Sequence, residues 1–79
     1  MSDLVATSEV SERIGRVTLT RPEKLNALNK AMLRAIPEAI RSCSEYDVLI
    51  IDAEGDAFTA GADLDEARAE SEEAGLYQE

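Results

Sequence analysis

Two stretches near the N-terminus, 4–10 and 16–20, carry the β-favouring residues of short strands. Ser11-Glu12-Arg13-Ile14-Gly15 between them reads as a turn closed by glycine. That is a β-hairpin. In the second strand Val17 and Leu19 alternate with Thr18 and Thr20, which gives it one face for a core and one that tolerates polar groups. Arg21-Pro22 ends the strand, because proline offers no ladder donor and pushes its predecessor to extended geometry. From Asn29, a candidate N-cap, apolar residues fall at Met32, Ala35, Ile36, Ala39, Ile40 and Cys43, opposite Lys30, Arg34, Glu38 and Arg41. This spacing predicts an amphipathic helix over 29–44. Pro37 interrupts it at a cost of about 3 kcal/mol, so a kink or two abutting helices is expected.

Val48-Leu49-Ile50-Ile51 is apolar on both faces, as in a parallel strand covered on each side. Strand, helix and strand in this order predict a right-handed βαβ crossover, with 48–51 parallel to 17–20 beneath the Met32, Ile36 and Ile40 face. The sheet is then mixed. Farther on, Asp63 with Glu66 three places later has the form of a capping box, and an acidic helix is expected over about 64–75, ended by Gly75.

Length and charge narrow the classes. A chain of 79 residues is one domain at most, and it buries only about 60–65% of the surface its unfolded form exposes. With one cysteine and no histidine it has neither disulfide nor metal cluster to staple it, so a partner subunit or further chain is expected. No metal site is expected. Cys43 reads as a core side chain, since no histidine exists to activate it. Seventeen acidic against eight basic residues give a formal charge of −9, which argues against nucleic acid and anionic membrane surfaces as partners. The acidity fits either an ordinary acidic protein or one adapted to high salt. Nothing resembles a signal peptide or a membrane span, and a cytoplasmic protein is the expectation.

Ala60-Gly61-Ala62-Asp63 combines small residues with a helix start, where backbone N–H groups can meet negative charge. Tight packing of a strand-to-helix connection explains the same residues equally well. A second stretch, Arg21-Pro22-Glu23-Lys24-Leu25-Asn26-Ala27-Leu28, changes the picture. Taken with Ala57-Phe58-Thr59-Ala60-Gly61-Ala62-Asp63-Leu64, in this order and on these elements, it resembles the opening of crotonase-superfamily sequences, the enoyl-CoA hydratase/isomerase family. The resemblance runs from about Ile14 to Leu64.

It implies an α/β fold, the N-terminal ββαβ part of a crotonase-like spiral of ββα units, acting on acyl-CoA thioesters. The shared chemistry holds an enolate-like thioester oxygen between two backbone N–H groups. The resemblance places one donor at Ala60, with Gly61 allowing close approach, Ala62 leaving room for the pantetheine arm and Asp63 capping the helix before Leu64. Lys24, Leu25 and Ala27 would lie along bound coenzyme A, with Lys24 either near a phosphate or simply a solvated lysine. Arg21 is expected to hold the loop through carbonyl or carboxylate contacts, and Asn26 to bond local backbone. No cofactor is implied beyond the coenzyme A of the substrate, and a homo-oligomer is expected at full length. The second donor and the acid–base carboxylates of the family belong to later segments. Glu66, Glu70, Glu72 and Glu73 read as a solvated face. The chain is therefore expected to be an N-terminal portion, inactive by itself. The competing reading is a non-catalytic ββαβ module that binds coenzyme A weakly or joins a homologous full-length subunit.

Overall fold

The structure is a computed structural model that describes residues 4–73. Its elements are β1 (Val5–Ser11), β2 (Ile14–Leu19), a 3-10 turn at Pro22–Lys24, helix α1 (Lys30–Ser42), β3 (Val48–Ala53) and helix α2 (Leu64–Glu73). The sheet is mixed, in the order β1-β2-β3, with β1 antiparallel and β3 parallel to β2. The expected hairpin and βαβ unit are both present.

The hairpin is tighter than the sequence suggests. Ser11 pairs with Ile14, so only Glu12 and Arg13 form the turn, and an irregularity between Glu9 and Ser11 absorbs the extra residue. Gly15 is a strand residue rather than a turn residue: a Cβ there would run into the ring of Tyr46. Tyr46 is fixed in turn by its hydroxyl, which donates to Glu9 Oε1 at 2.9 Å. That bond, with desolvation second, pushes the phenol up to about 12.

The crossover pairs three residues earlier than expected. Val48 lies opposite Ile14 and Ile51 opposite Val17, because the N–H groups of Asp47 and Val48 both reach the Arg13 carbonyl and start the pairing at the hairpin tip. At the other end Glu54 N–H donates to the Leu19 carbonyl.

Asn29 caps α1 as its type predicts, its side chain accepting from Met32 N–H at 2.9 Å. The helix runs through Pro37 as one element rather than two. Pro37 and Leu33, whose carbonyl the proline leaves without its helical donor, are both exposed, so the interruption falls on the solvent side of the helix. Met32, Ala39 and Cys43 are buried with Val5, Val17 and Leu19, and Ala35 and Ile36 pack against this core. Cys43 is thus the core side chain expected. Ile40 lies about 100° around the helix from Ala39 and stays on the rim, 39% exposed.

α1 packs against β1 and β2, and β3 is not sandwiched as its apolar run predicted: Val48 and Ile51 are exposed. The opposite sheet face is polar at its centre, where Thr18 Oγ1 donates to Asp52 Oδ1 at 2.6 Å and Arg16 pairs with Asp52 at 3.2 Å. α2 buries no residue. Its expected stop at Gly75 lies outside the described residues. Among those described, no helix is long and apolar enough to cross a membrane.

Candidate functional site

The two small-residue and loop motifs of the sequence are one structural unit, and Asn26 joins them. After the 3-10 turn, Leu25 and Asn26 take φ of 52° and 54°, two consecutive left-handed non-glycine residues. Such a pair costs of order 1–2 kcal/mol per residue and persists only where its surroundings fix it. Asn26 supplies the fixing. It is 0% exposed, its Oδ1 accepts from Arg21 N–H at 2.8 Å, and its Nδ2 donates to the Glu54 and Ala57 carbonyls at 2.8 and 2.9 Å. Its own carbonyl accepts from Thr59 Oγ1 at 2.6 Å. The local bonding expected of Asn26 is therefore only part of its role.

Beyond Asn26 the two segments pair directly. Leu28 and Ala62 form an isolated parallel bridge: Leu28 N–H donates to the Gly61 carbonyl at 2.7 Å, and Asp63 N–H donates to the Leu28 carbonyl at 2.9 Å. In a parallel pair, the residue between two such bonds turns its own N–H and C=O to the other side. Ala62 is that residue; it is exposed, and its N–H has no acceptor among the described residues.

Ala60 is placed differently. Its N–H donates to the Leu25 carbonyl at 2.9 Å, so the donor expected at Ala60 is already engaged, and the outward N–H of this segment lies two residues later. Gly61 between them has φ 89°, a backbone that favours glycine, and its N–H donates to Thr59 Oγ1 at 3.1 Å. A Cβ on Gly61 would meet nothing within 4 Å. The space beside it is open.

Arg21 and Asp63 hold the bridge from the side. Arg21 Nη1 donates to the Ala27 carbonyl at 2.9 Å and to Asp63 Oδ2 at 2.8 Å, and the two side chains are only 14% and 11% exposed. Both the carbonyl and the carboxylate contact expected of Arg21 are made. Asp63 Oδ1 accepts from Glu66 N–H at 3.0 Å, the expected cap of α2. The reciprocal half of the capping box is missing because Leu28 already holds Asp63 N–H. Glu66 instead accepts from Lys30 N–H at the start of α1 at 2.7 Å, and Glu70 pairs with Lys30 Nζ. Glu66 and Glu70, read from the sequence as a solvated face, thus tie α2 to α1.

Of the other candidates, Lys24, Leu25 and Leu64 are exposed and Ala27 is partly buried, its carbonyl held by Arg21. Thr59 was not singled out from the sequence. A threonine two residues before a left-handed glycine, placed to accept its N–H, was the available signal.

The Glu66 N–H first, and the Arg21 guanidinium second, hold the Asp63 carboxyl below the usual carboxylate range against an opposing desolvation. A depressed carboxylate contributes stability above its unfolded value of about 3.9 and loses it as pH falls through the lower folded value. Urea titrations from pH 7 to 3 should therefore show stability falling with acid. Asp63→Asn, which keeps the cap acceptor without the charge, should fall less steeply. Parallel curves would show that Asp63 carries no such linkage.

Residues 14–79 match the enoyl-CoA hydratase/isomerase family model. The chain belongs to this family. It is 40% identical over 63 residues to a probable enoyl-CoA hydratase of Rhodobacter capsulatus, an alignment covering 78% of this chain and 24% of that protein. It is 42% identical over 64 residues to a probable mitochondrial enoyl-CoA hydratase of Dictyostelium discoideum, covering 77% and 23%. Crystal structures of family members superpose on it. An enoyl-CoA hydratase from Thermoplasma volcanium does so with a TM-score of 0.78 at 30% identity, over 94% of this chain and 30% of the other. One from Mycobacterium marinum gives 0.76 at 32%, over 84% and 32%. The family fold is thus the crotonase fold expected, and the chain spans about a quarter of the length of the curated relatives it matches.

Proposed function

We propose that this segment serves an enoyl-CoA hydratase or isomerase of acyl-CoA metabolism, and that it gives the thioester oxygen one hydrogen-bond donor, the N–H of Ala62. The observation that carries this reading is the Leu28–Ala62 bridge, which uses the Gly61 carbonyl and the Asp63 N–H and turns the N–H of the exposed Ala62 outward. A donor held this way need not reorganise as the carbonyl oxygen gains charge, and that is the condition under which such a dipole lowers a barrier. Ala60 is assigned a different role, tethering the segment to Leu25.

The open space beside Gly61 is the approach for the thioester. Leu25 and Lys24, exposed on the neighbouring loop, are assigned to the coenzyme A arm, Lys24 through attraction to a phosphate. The substrate brings its own coenzyme A, and no other cofactor enters the reading. Water addition and double-bond migration both pass through an enolate-like oxygen, so the donor is common to the two reactions.

The test is made in a chain of full family length carrying this segment. Ala62→Pro removes the N–H, and loss of one such donor lowers kcat by about 10²–10³-fold. Ala60→Pro should act on stability instead. A folded Ala62→Pro enzyme with kcat within about two-fold of the parent would dismiss Ala62 as the donor.

A further inference from the structure

Resting on the Ala62 reading, we infer that Arg21 is the positioning residue of the oxyanion segment: one guanidinium nitrogen clamps both strands of the Leu28–Ala62 bridge and so aims the Ala62 N–H. On one strand Arg21 Nη1 bonds the carbonyl of Ala27, the residue before the bridge. On the other it bonds the side chain of Asp63, the residue after it.

The direction of the Ala62 N–H is set by two peptide planes. The Gly61–Ala62 plane is fixed by Leu28 N–H on the Gly61 carbonyl, and the trans peptide puts the Ala62 N–H on the opposite side. The Ala62–Asp63 plane is fixed by Asp63 N–H on the Leu28 carbonyl. Both planes therefore depend on Leu28 staying in register with Ala62. On the N-terminal side the Ala60–Leu25 and Thr59–Asn26 bonds hold that register, and on the Asp63 side no further backbone bond between the two segments follows the bridge among the described residues. Arg21 supplies the missing restraint. Its bonds are nearly closed off from solvent, and the one to Asp63 joins opposite charges, so both are stronger than exposed neutral bonds. The same Asp63 carboxylate caps α2 through its other oxygen, so the clamp also sets where the helix begins relative to the donor.

A residue that merely stabilised the fold would act on the core as much as on the bridge. The recorded bonds of the Arg21 side chain go to Ala27 and Asp63, neither of them a residue of the buried apolar core. Its loss should accordingly be felt at the bridge first.

The experiment uses the whole 79-residue chain, nitrogen-labelled, with amide hydrogen exchange read residue by residue. In Arg21→Met the Leu28 and Asp63 amides should exchange about ten-fold faster while Val17 and Leu49 stay within about two-fold of the parent. Unchanged exchange at Leu28 and Asp63, or an equal loss at Val17, overturns the clamp. Should the methionine variant not fold, Arg21→Lys, which keeps the charge but not the planar fork, is judged by the same contrast.

A second arm reads the aim. Acetoacetyl-CoA, whose β-ketothioester forms an enolate, is titrated into the parent at millimolar concentration. The Ala62 amide proton should move downfield, the Ala60 amide should not, and Arg21→Met should lose the Ala62 response. A parent chain whose Ala62 amide ignores the thioester overturns the donor reading and leaves the exchange data to decide the clamp, whereas an Arg21→Met chain that keeps the full Ala62 response overturns the aim.

Discussion

Asn26→Leu is expected to unfold this chain at neutral pH and room temperature. The substitution keeps the branching of the side chain and places an apolar group where exposure is 0%, so the hydrophobic gain alone would favour it. The hydrogen bonds decide otherwise. Arg21 N–H and the carbonyls of Glu54 and Ala57 all lose their partner in part-buried surroundings, where a group left unpaired costs up to about 1–3 kcal/mol, least where water can reach it. The left-handed backbone at Asn26 adds to this, since asparagine tolerates φ of 54° better than leucine does. A chain of this length has a total stability of roughly 4–12 kcal/mol, and a small core puts it toward the lower end. Asn29→Ala is the control, because it removes one helix cap and should cost only about 1 kcal/mol. Circular dichroism with urea titration checks both. If Asn26→Leu melted as mildly as Asn29→Ala, Asn26 would not be the junction of the two segments.

What could be read from the sequence is what side-chain pattern encodes. The hairpin, the capped α1 and the parallel return of β3 follow from periodicity, and Asn29 was found because an N-cap has a residue type. Asn26 was underestimated because its distant partners are carbonyls, which every residue carries, so nothing in the sequence of Glu54 or Ala57 advertises the bond. The outward-facing N–H was hidden for a related reason. Ala60 and Ala62 flank Gly61 symmetrically with identical side chains, and only the side on which the backbone pairs separates them: Ala60 turns its N–H to Leu25, Ala62 turns it outward. The register error in β3 has the same origin, since Val48-Leu49-Ile50-Ile51 fits any offset along β2. Exposure of Val48 and Ile51 is a different case. An apolar run predicts burial without saying which element provides it, and α1 packs chiefly on β1 and β2, leaving Val48 and Ile51 exposed while Leu49 and Ala53 meet the edge of the core.

Alone, the 79-residue chain is expected to show no measurable hydratase or isomerase activity on crotonyl-CoA or longer enoyl-CoAs. Adding water across an enoyl thioester requires a base for the water, an acid for the α-carbon and donors for the oxygen. Here the Ala62 N–H is the one donor assigned. Several of the carboxylates that follow it are already occupied, Asp63 with Arg21 and the α2 cap, Glu66 with Lys30 N–H, Glu70 with Lys30 Nζ and Glu72 with Arg68, while Asp65 is exposed. Asp63 is a poor base, because the Glu66 N–H and the Arg21 guanidinium stabilise the charged form that protonation would remove. Acid and base groups each contribute about 10²–10⁴-fold, so their joint absence brings the rate toward background even where substrate binds. Binding is expected to be weak as well, since the approach beside Gly61 is open rather than enclosed. The assay is loss of enoyl-thioester absorbance with purified chain, at low salt and at molar salt to allow for the acidic surface. Turnover that survives repurification and vanishes in Ala62→Pro would overturn the expectation. It would require Glu66, Glu70 or Glu73 to act as the acid–base group, and replacing each by glutamine would identify which one leaves its place at the helix to do so.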